Sequence, residues 1–596
     1  MRSPVDERQV VGEGEAIFAV PRSRRWLIPL WSFALSVLAL GPALLPGYTL
    51  SYDMVFVPRQ TLLPWMLGIS GGLPRSTPQD IVVSLIAGPL PGQILQKVVL
   101  MAALLLAGIG AARLLRGTHL LVQLAAATLA IWNPFVAERL VLGNWAVLLT
   151  YGAMPWIVAA VIKARRGELT GCAQLALWCG LGSLVPTGGV WCLVLAAPVW
   201  LIPSRLAIKW RAAVFGALVL LNATWWLPAM LNPNVASSDA AGASVFALRS
   251  EAWGGPLLTA LGLGGAWNAQ VIPATRDLPW MPIAAVVLAA LAVIGLVPLV
   301  ARLGRATGWW LVGFAAVSLL LAVAGAWSPT AGTIRWIVES VPGGGIVRDG
   351  QKLLAPLALL MALALPLGVA RIFDRSHAQV RLRLAMAVLI VVPLALLPDM
   401  AAGVWGRLGS VSYPSGWESV RSAIAAGPPG DAVSVPWTTF RRYPWNGNRT
   451  VLDPAPRFMT RTVIADDRLP VSGPGGVTWV AGDDPRSAAV ADALERNVQL
   501  ADVLPTMGVR WVIEQTDQPR PIDQSKLAGL RLVSDQTGLR LWEVPTAGTA
   551  PVLPGWWPLV VTVDLLGLVI LLGSATLLLG ARKFPRPNGA TSVHSQ

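Results

Sequence analysis

Twelve apolar runs of roughly bilayer-crossing length recur along this 596-residue chain, and nothing constrains its folding more. They fall near 26–47, 94–112, 118–133, 145–162, 171–186, 188–203, 212–230, 281–300, 308–326, 353–370, 384–402 and 555–580. At about 1.5 Å per residue each is close to the length needed to cross a hydrocarbon core. The pair 171–186 and 188–203, joined by Val185-Pro186-Thr187-Gly188-Gly189, is short and fits either two helices or a re-entrant hairpin. Lipid cannot satisfy open backbone groups, so such runs must be helical. Only 13% of the residues are charged, about half the roughly 25% of a soluble chain. A water-soluble enzyme and a disordered protein are therefore excluded.

Charge placement sets the expected orientation. When the runs are threaded alternately, the inner loops collect Arg113/Arg116, Lys163/Arg165/Arg166, Arg205/Lys209/Arg211, Arg302/Arg305, Arg371/Arg375/Arg381/Arg383 and Arg582/Lys583/Arg586. This predicts a multi-pass plasma-membrane protein with both termini cytoplasmic. The formal charge of +15 is then largely a topology signal, and nucleic acid is not an expected partner; the lipid bilayer is. Trp (28) far outnumbers Tyr (5), and many Trp stand at span ends, as interfacial belts require. The three cysteines, Cys172, Cys179 and Cys192, lie in apolar runs and read as small buried residues.

The domain plan follows. Residues 1–25 form a cytoplasmic segment, 26–402 a transmembrane core, 554–581 a final helix and 582–596 a tail. Outward loops occupy about 48–93, 231–280 and 327–352. The segment 403–553 has ordinary charge density, β-branched runs at 431–435, alternating runs at 508–514 and 539–544, and a helical stretch near 486–499. The expected fold class is thus a polytopic α-helical membrane protein of about 12 transmembrane helices carrying a small extracytoplasmic α/β domain.

Charges that survive against a bilayer mark the chemistry. Asp53 lies just past the first run, followed by Arg59; a carboxylate there could take a proton from a hydroxyl while Arg59 binds phosphate, or it could cap a helix or pair with Arg59. Glu138 and Arg139, in a short outward turn before Asn144-Trp145, form either one wall of a polar pocket or a local ion pair. Arg348, Asp349 and Lys352 follow a glycine run; the two cations could face an anionic headgroup or simply snorkel. Arg249, Glu251, Asp277 and Arg335 are secondary candidates. Asp466-Asp467 and Asp483-Asp484 read as solvated loops rather than metal ligands. With three histidines (His119, His377, His594) and no P-loop, HExxH or GxSxG, a His-metal centre and a His-based triad are disfavoured.

The run Glu138-Arg139-Leu140-Val141-Leu142-Gly143-Asn144-Trp145, continuing to Met154-Pro155-Trp156, resembles the GT-C superfamily of multi-span glycosyltransferases. The likeness is to its YfhO-type branch and to the membrane half of the mycobacterial arabinofuranosyltransferases. Val347-Arg348-Asp349-Gly350-Gln351-Lys352-Leu353 and Met507-Gly508-Val509-Arg510-Trp511-Val512-Ile513 are similar to further stretches of that branch. The resemblance implies a GT-C-like core, an extracytoplasmic active site, and Asp53 in the place of the acidic residue of the first loop. A single Asp stands where many relatives carry a pair, and Asn144 where His is commoner. No tightly bound cofactor is expected and no metal ligand set is assigned.

The leading expectation is a cell-envelope glycosyltransferase that uses a polyprenyl-phosphate sugar as donor and an envelope glycan or glycolipid as acceptor. High Arg and Ala content fits an actinobacterial envelope. Asp53 would be the base, Arg59, Arg348 and Lys352 the phosphate site, and Glu138, Arg139, Asn144, Trp145 and Asp349 the pocket. Trp417, Trp437, Trp445 and Trp511 are candidate sugar platforms. Asp53, Arg348 and Glu138 should converge on one cavity that also opens sideways to lipid. A transporter or flippase, and a non-catalytic assembly protein on a degenerate GT-C fold, are the rival classes.

Overall fold

The computed structural model describes residues 24–232, 239–373, 379–473, 476–546 and 552–583. The segments expected over 1–25 and 582–596 fall outside the described residues except at 24–25 and 582–583. Among the described residues nine helices are long and apolar enough to cross a membrane. A tenth element, Val380–Leu396 with Pro398–Gly406, is bent by 69°. Leu169–Gly182 and Pro186–Leu201 are apolar but shorter. Every expected run is therefore helical, while three fall short of a plain span. Prolines account for the breaks: Pro186 and Pro398 each start a new helical turn and lack a donor, and the residues before them, Val185 and Leu397, leave the helical conformation.

The helices that matter for the site are α1 (Leu27–Leu40), α2 (Gly92–Leu114), α3 (Leu120–Ile131), α4 (Pro134–Val141), α5 (Trp145–Arg165), α6 (Met281–Leu303), α7 (Ala355–Phe373), α8 (Gln379–Leu396) and α9 (Trp557–Lys583). Without a hydrophobic drive between helices in lipid, close backbone approach decides packing. The α6–α7 crossing shows this: a Cβ at Gly295 would lie 1.8 Å from the Ala364 carbonyl oxygen, and one at Gly368 would lie 1.9 Å from that of Leu291. Gly368→Val is expected to separate these helices and cost about 1–3 kcal/mol. A lowered thermal transition in detergent, with protein still inserted, is the measurement.

Eleven strands complete the fold: β1 (Tyr48–Thr49), β2 (Ser410–Val411), β3 (Asp431–Val435), β4 (Phe440–Arg442), β5 (Thr450–Leu452), β6 (Val463–Ile464), β7 (Leu469–Gly473), β8 (Gly476–Val480), β9 (Val509–Gln515), β10 (Arg531–Gln536) and β11 (Leu539–Glu543). Five form one mixed sheet in the order β10-β11-β9-β3-β6, with β3 parallel to β6 and β9. Helices Ser415–Ala426 and Pro485–Glu495 accompany it, so the α/β character expected from the alternating runs is present.

The α/β unit is not merely tethered. The segment after α1 is sewn into it: β1 pairs antiparallel with β2, and Tyr52 exchanges backbone hydrogen bonds with Thr450 and Leu452, both at 2.8 Å. Arg457 reaches Asp80 of helix Gln79–Ile86 at 3.0 Å, a buried pair between the first loop and the α/β unit. One apolar core runs from Leu35 and Leu100 through Phe56 to Trp417, Tyr443 and Phe458. This decides the fate of the four expected sugar platforms. Trp417 and Trp511 are core residues, 1% and 2% exposed. Trp445 is half-buried and stacks on Tyr443, and Trp437 is half-buried with its indole nitrogen enclosed. Burial thus removes Trp417 and Trp511 as platforms, and Trp445 has one face taken by Tyr443.

Candidate functional site

The site is built where α4 meets α5. Asn133 caps α4, its side chain accepting from the Val136 amide at 3.0 Å, and Pro134 opens the helix without wasting a donor. Glu138 and Arg139 therefore lie on a fully buried helix, not in the outward turn the sequence suggested. The reason is local: the Asn-Pro start and an apolar face at Phe135, Val136 and Leu140 make one more helical turn pair of the short link.

At the α4–α5 turn Gly143 has φ +76°, a left-handed value suited to glycine. A Cβ there would lie 2.2 Å from the Met54 amide nitrogen and 2.4 Å from the Ser51 carbonyl oxygen. The absence of that atom lets the Ser51–Met54 turn press onto the helix pair, where the Asp53 amide donates to the Leu142 carbonyl at 3.1 Å. Trp145 supports the same turn from the side, its ring 5.3 Å from that of Phe56.

From this turn a continuous polar chain runs inward. Asn144 donates to the Asp53 carboxylate at 2.8 Å, and its own side-chain oxygen accepts from Arg139 at 2.8 Å. Arg139 grips Asp349 with two bonds, 2.8 and 2.6 Å, and donates to Gln351 at 2.5 Å. Lys352 stands 3.8 Å from Asp349, to which its amide also donates at 3.1 Å. Residues separated by almost 300 positions thus form one network with Asp53 at its open end. Asp53 keeps an exposed face although protein surrounds it, as at the floor of a cleft.

The electrostatics divide these groups. Burial pushes the Asp53 carboxyl above its ordinary range, while Lys352, the Asn144 bond, Arg457 and Arg139 pull it back. Burial would also raise Asp349, but Arg139 and Lys352 outweigh it and hold that carboxyl down to about 2. The two carboxylates thus differ: the cations hold Asp349 as an anion, while burial moves Asp53 the other way. Arg348 lies over the Phe246 ring at 4.6 Å and has no ion-pair partner among the described residues. Burial and Arg75 lower it to about 10, with Asp483, Asp349 and Asp239 opposing, so it stays cationic at neutral pH.

The structure brings together Asp53, Arg139, Asn144, Trp145, Asp349 and Lys352, with Arg348 beside them. Arg59 is not joined to them: it is exposed and has no ion pair with them among the described residues. Glu138 also turns away. It accepts from the Ala266 amide at 2.8 Å and neighbours Glu251, which pairs with Arg276 at 2.7 Å. Adjacent residues of a helix point about 100° apart, so Glu138 and Arg139 serve different clusters. Gln351, Arg276 and Arg457 escaped the sequence reading as site residues because their partners are far away in the chain. The Pro155-Trp156 pair, read as part of the motif, packs α5 on α2, with Trp156 donating to the Leu106 carbonyl at 2.9 Å.

Beside the Glu251–Arg276 pair lies an apolar cleft of about 650 Å³, counted to its open mouth. It is lined by Leu129 and Trp132 next to α3, Met281 and Leu288 of α6, Met361 and Leu365 of α7, and Leu396 of α8. Arg276 is its one charged lining residue.

No group of three or more His, Cys, Asp or Glu converges as a ligand set among the described residues. Around Asp53 the partners are an amide and cations, a donor set that does not fit a divalent metal. Asp467 instead accepts the Asp483 and Asp484 amides at 2.6 and 2.9 Å, and so staples a loop.

Comparison with protein-family profiles and with curated proteins returns no match. Among solved structures the chain is similar to the arabinofuranosyltransferase AftD from Mycobacteria, with a TM-score of 0.55 and 18% identity over 88% of this chain. A mutant form of the same enzyme gives 0.54 and 18% over 89%. The chain spans only 40% and 42% of those two chains. The likeness establishes a fold shared with that structure over most of this chain.

Proposed function

We propose that this protein is a membrane glycosyltransferase that moves a sugar from a polyprenyl-phosphate donor to an envelope glycan on the outer face of the plasma membrane. The observation that carries the reading is the Asp53–Asn144–Arg139–Asp349–Lys352 network: one exchangeable carboxylate, oriented by an amide and set beside cations. In the reaction an acceptor hydroxyl attacks the anomeric carbon and its proton passes to Asp53. The bond from that carbon to the phosphate oxygen breaks, polyprenyl phosphate leaves, and the configuration inverts. Lys352 and Arg348 offset charge gathering on the leaving phosphate, commonly the largest catalytic contribution. Arg59 has no part in this. The hydrocarbon chain of the donor reaches the protein sideways through the cleft between α6 and α8, which is apolar. Similarity to AftD favours a pentofuranose donor. The α/β unit would face outward and receive the acceptor.

The test is transfer by purified full-length protein in nanodiscs, supplied with polyprenyl-phosphate arabinofuranose and an arabinan oligosaccharide. Elongated acceptor and released polyprenyl phosphate are expected in equal amounts. Binding of donor without either product would remove the reading.

The pH profile carries a second expectation. Asp53 must be ionised, so the rate falls as pH drops through a value above that of an ordinary aspartate. Lys352 lowers that value, so Lys352→Met should move the acid limb to higher pH. A limb that stays in place would show that another group titrates.

A further inference from the structure

One large aromatic ring of the α/β unit does stand free. Trp479, on β8, is 54% exposed and opposite Pro470 of β7, with exposed Val477 two residues away on the same strand face. The Arg468 guanidinium lies 5.2 Å from the centre of its ring. Arg468 is itself held by Asp466 at 3.0 Å and Glu495 at 2.8 Å, so the cation that supports the indole is fixed. The result is a rigid aromatic plate with charged hydrogen-bonding groups at its edge.

The base of this ribbon is tied to the surroundings of Arg348. The Ala481 amide donates to Asp239 at 2.8 Å, and Asp483 pairs with Arg75. Asp239, Arg75 and Asp483 are the same groups whose charges act on Arg348. Trp479 therefore stands four residues along the chain from Asp483.

An exposed ring has two common uses, in lipid or on a ligand. Lipid is disfavoured here, because sinking the ring would dehydrate Arg468 and Glu495 beside it. Sugar rings suit it: their C–H faces carry partial positive charge that an aromatic face attracts, and their hydroxyls need neighbours such as Glu495 and Arg468.

We propose that Trp479, with Arg468 and Glu495, forms a sugar-binding subsite outside the reaction pocket, which holds an acceptor glycan several sugars from its reacting end. The inference rests on the glycosyltransferase reading for the word acceptor, but the subsite itself is a binding claim. It predicts that a long chain binds better than a short one and that Trp479 supplies the difference.

The experiment measures binding of an arabinofuranose disaccharide, and of a chain several sugars longer, to full-length protein in nanodiscs by calorimetry, without donor. Trp479→Ala is expected to weaken the long chain about tenfold and to leave the disaccharide unchanged, while Trp479→Phe stays near wild type. With donor present, KM for the long chain should rise and kcat should hold. If transfer is absent but the length-dependent binding and its loss are seen, the enzymatic reading falls and the subsite stands. Equal binding of the long chain by wild type and Trp479→Ala would overturn the proposal. So would quenching of a fluorophore at position 479 by brominated lipid, which would make the ribbon a membrane anchor.

Discussion

Asp53→Asn is expected to cut transfer by about 10²- to 10⁴-fold, the range over which a positioned general base acts. The substitution keeps size and shape, and an asparagine oxygen can still accept the Asn144 bond that orients the side chain. What disappears is the capacity to take a proton. The protein should therefore insert normally, melt at the wild-type temperature or slightly above, and bind donor with unchanged affinity. A small gain in stability is the sign to expect, because a carboxylate held above its usual range by burial costs folding energy that an amide does not. Transfer at the wild-type rate would exclude Asp53 as the base, whatever the merits of the fold.

The second large effect is on stability. Arg139 is fully buried and Asp349 nearly so, and the pair is joined by two bonds. Arg139→Met leaves the carboxylate of Asp349 in a dry site without its bidentate partner, and a loss of about 3–5 kcal/mol is expected. Arg139→Met combined with Asp349→Leu removes both charges and should recover most of that loss, since a buried ion pair is often no better than an apolar replacement. Transfer should not recover, because Asn144 has lost the guanidinium that orients it and Asp53 its anchored partner. Thermal unfolding in nanodiscs, set beside the transfer rate, separates the two roles. Recovery of both would mean that Arg139 only holds helices together.

The span pattern and the site were legible to different depths. Apolar length alone located the helices, because lipid leaves the backbone no other choice. The strand at 431–435 showed through its β-branched residues, and those at 509–515 and 539–543 through their alternation. Asp53, Arg139, Asn144, Asp349 and Lys352 were singled out as charges or motif positions, and they do meet. Their connections were not legible: whether Glu138 or its neighbour Arg139 faces Asp53 depends on the helical phase of α4, which an eight-residue stretch does not reveal. Arg59 stands outside the network, since spacing from Asp53 says nothing of direction once the turn at Ser51–Met54 is clamped. The tryptophans raise a different difficulty. A flat ring reads alike in a core and on a surface, and only the folded sheet separates Trp511 from Trp479.

The strand pairing of Tyr48–Thr49 with Ser410–Val411, and of Tyr52 with its neighbours at 450–452, carries a mechanical consequence. Asp53 hangs from a stitch shared by two halves of the polypeptide, so neither half can tilt without dragging it. Swapping the 403–553 block for a foreign one would unpick that stitch, and a chimera designed to change acceptor preference would forfeit turnover as well.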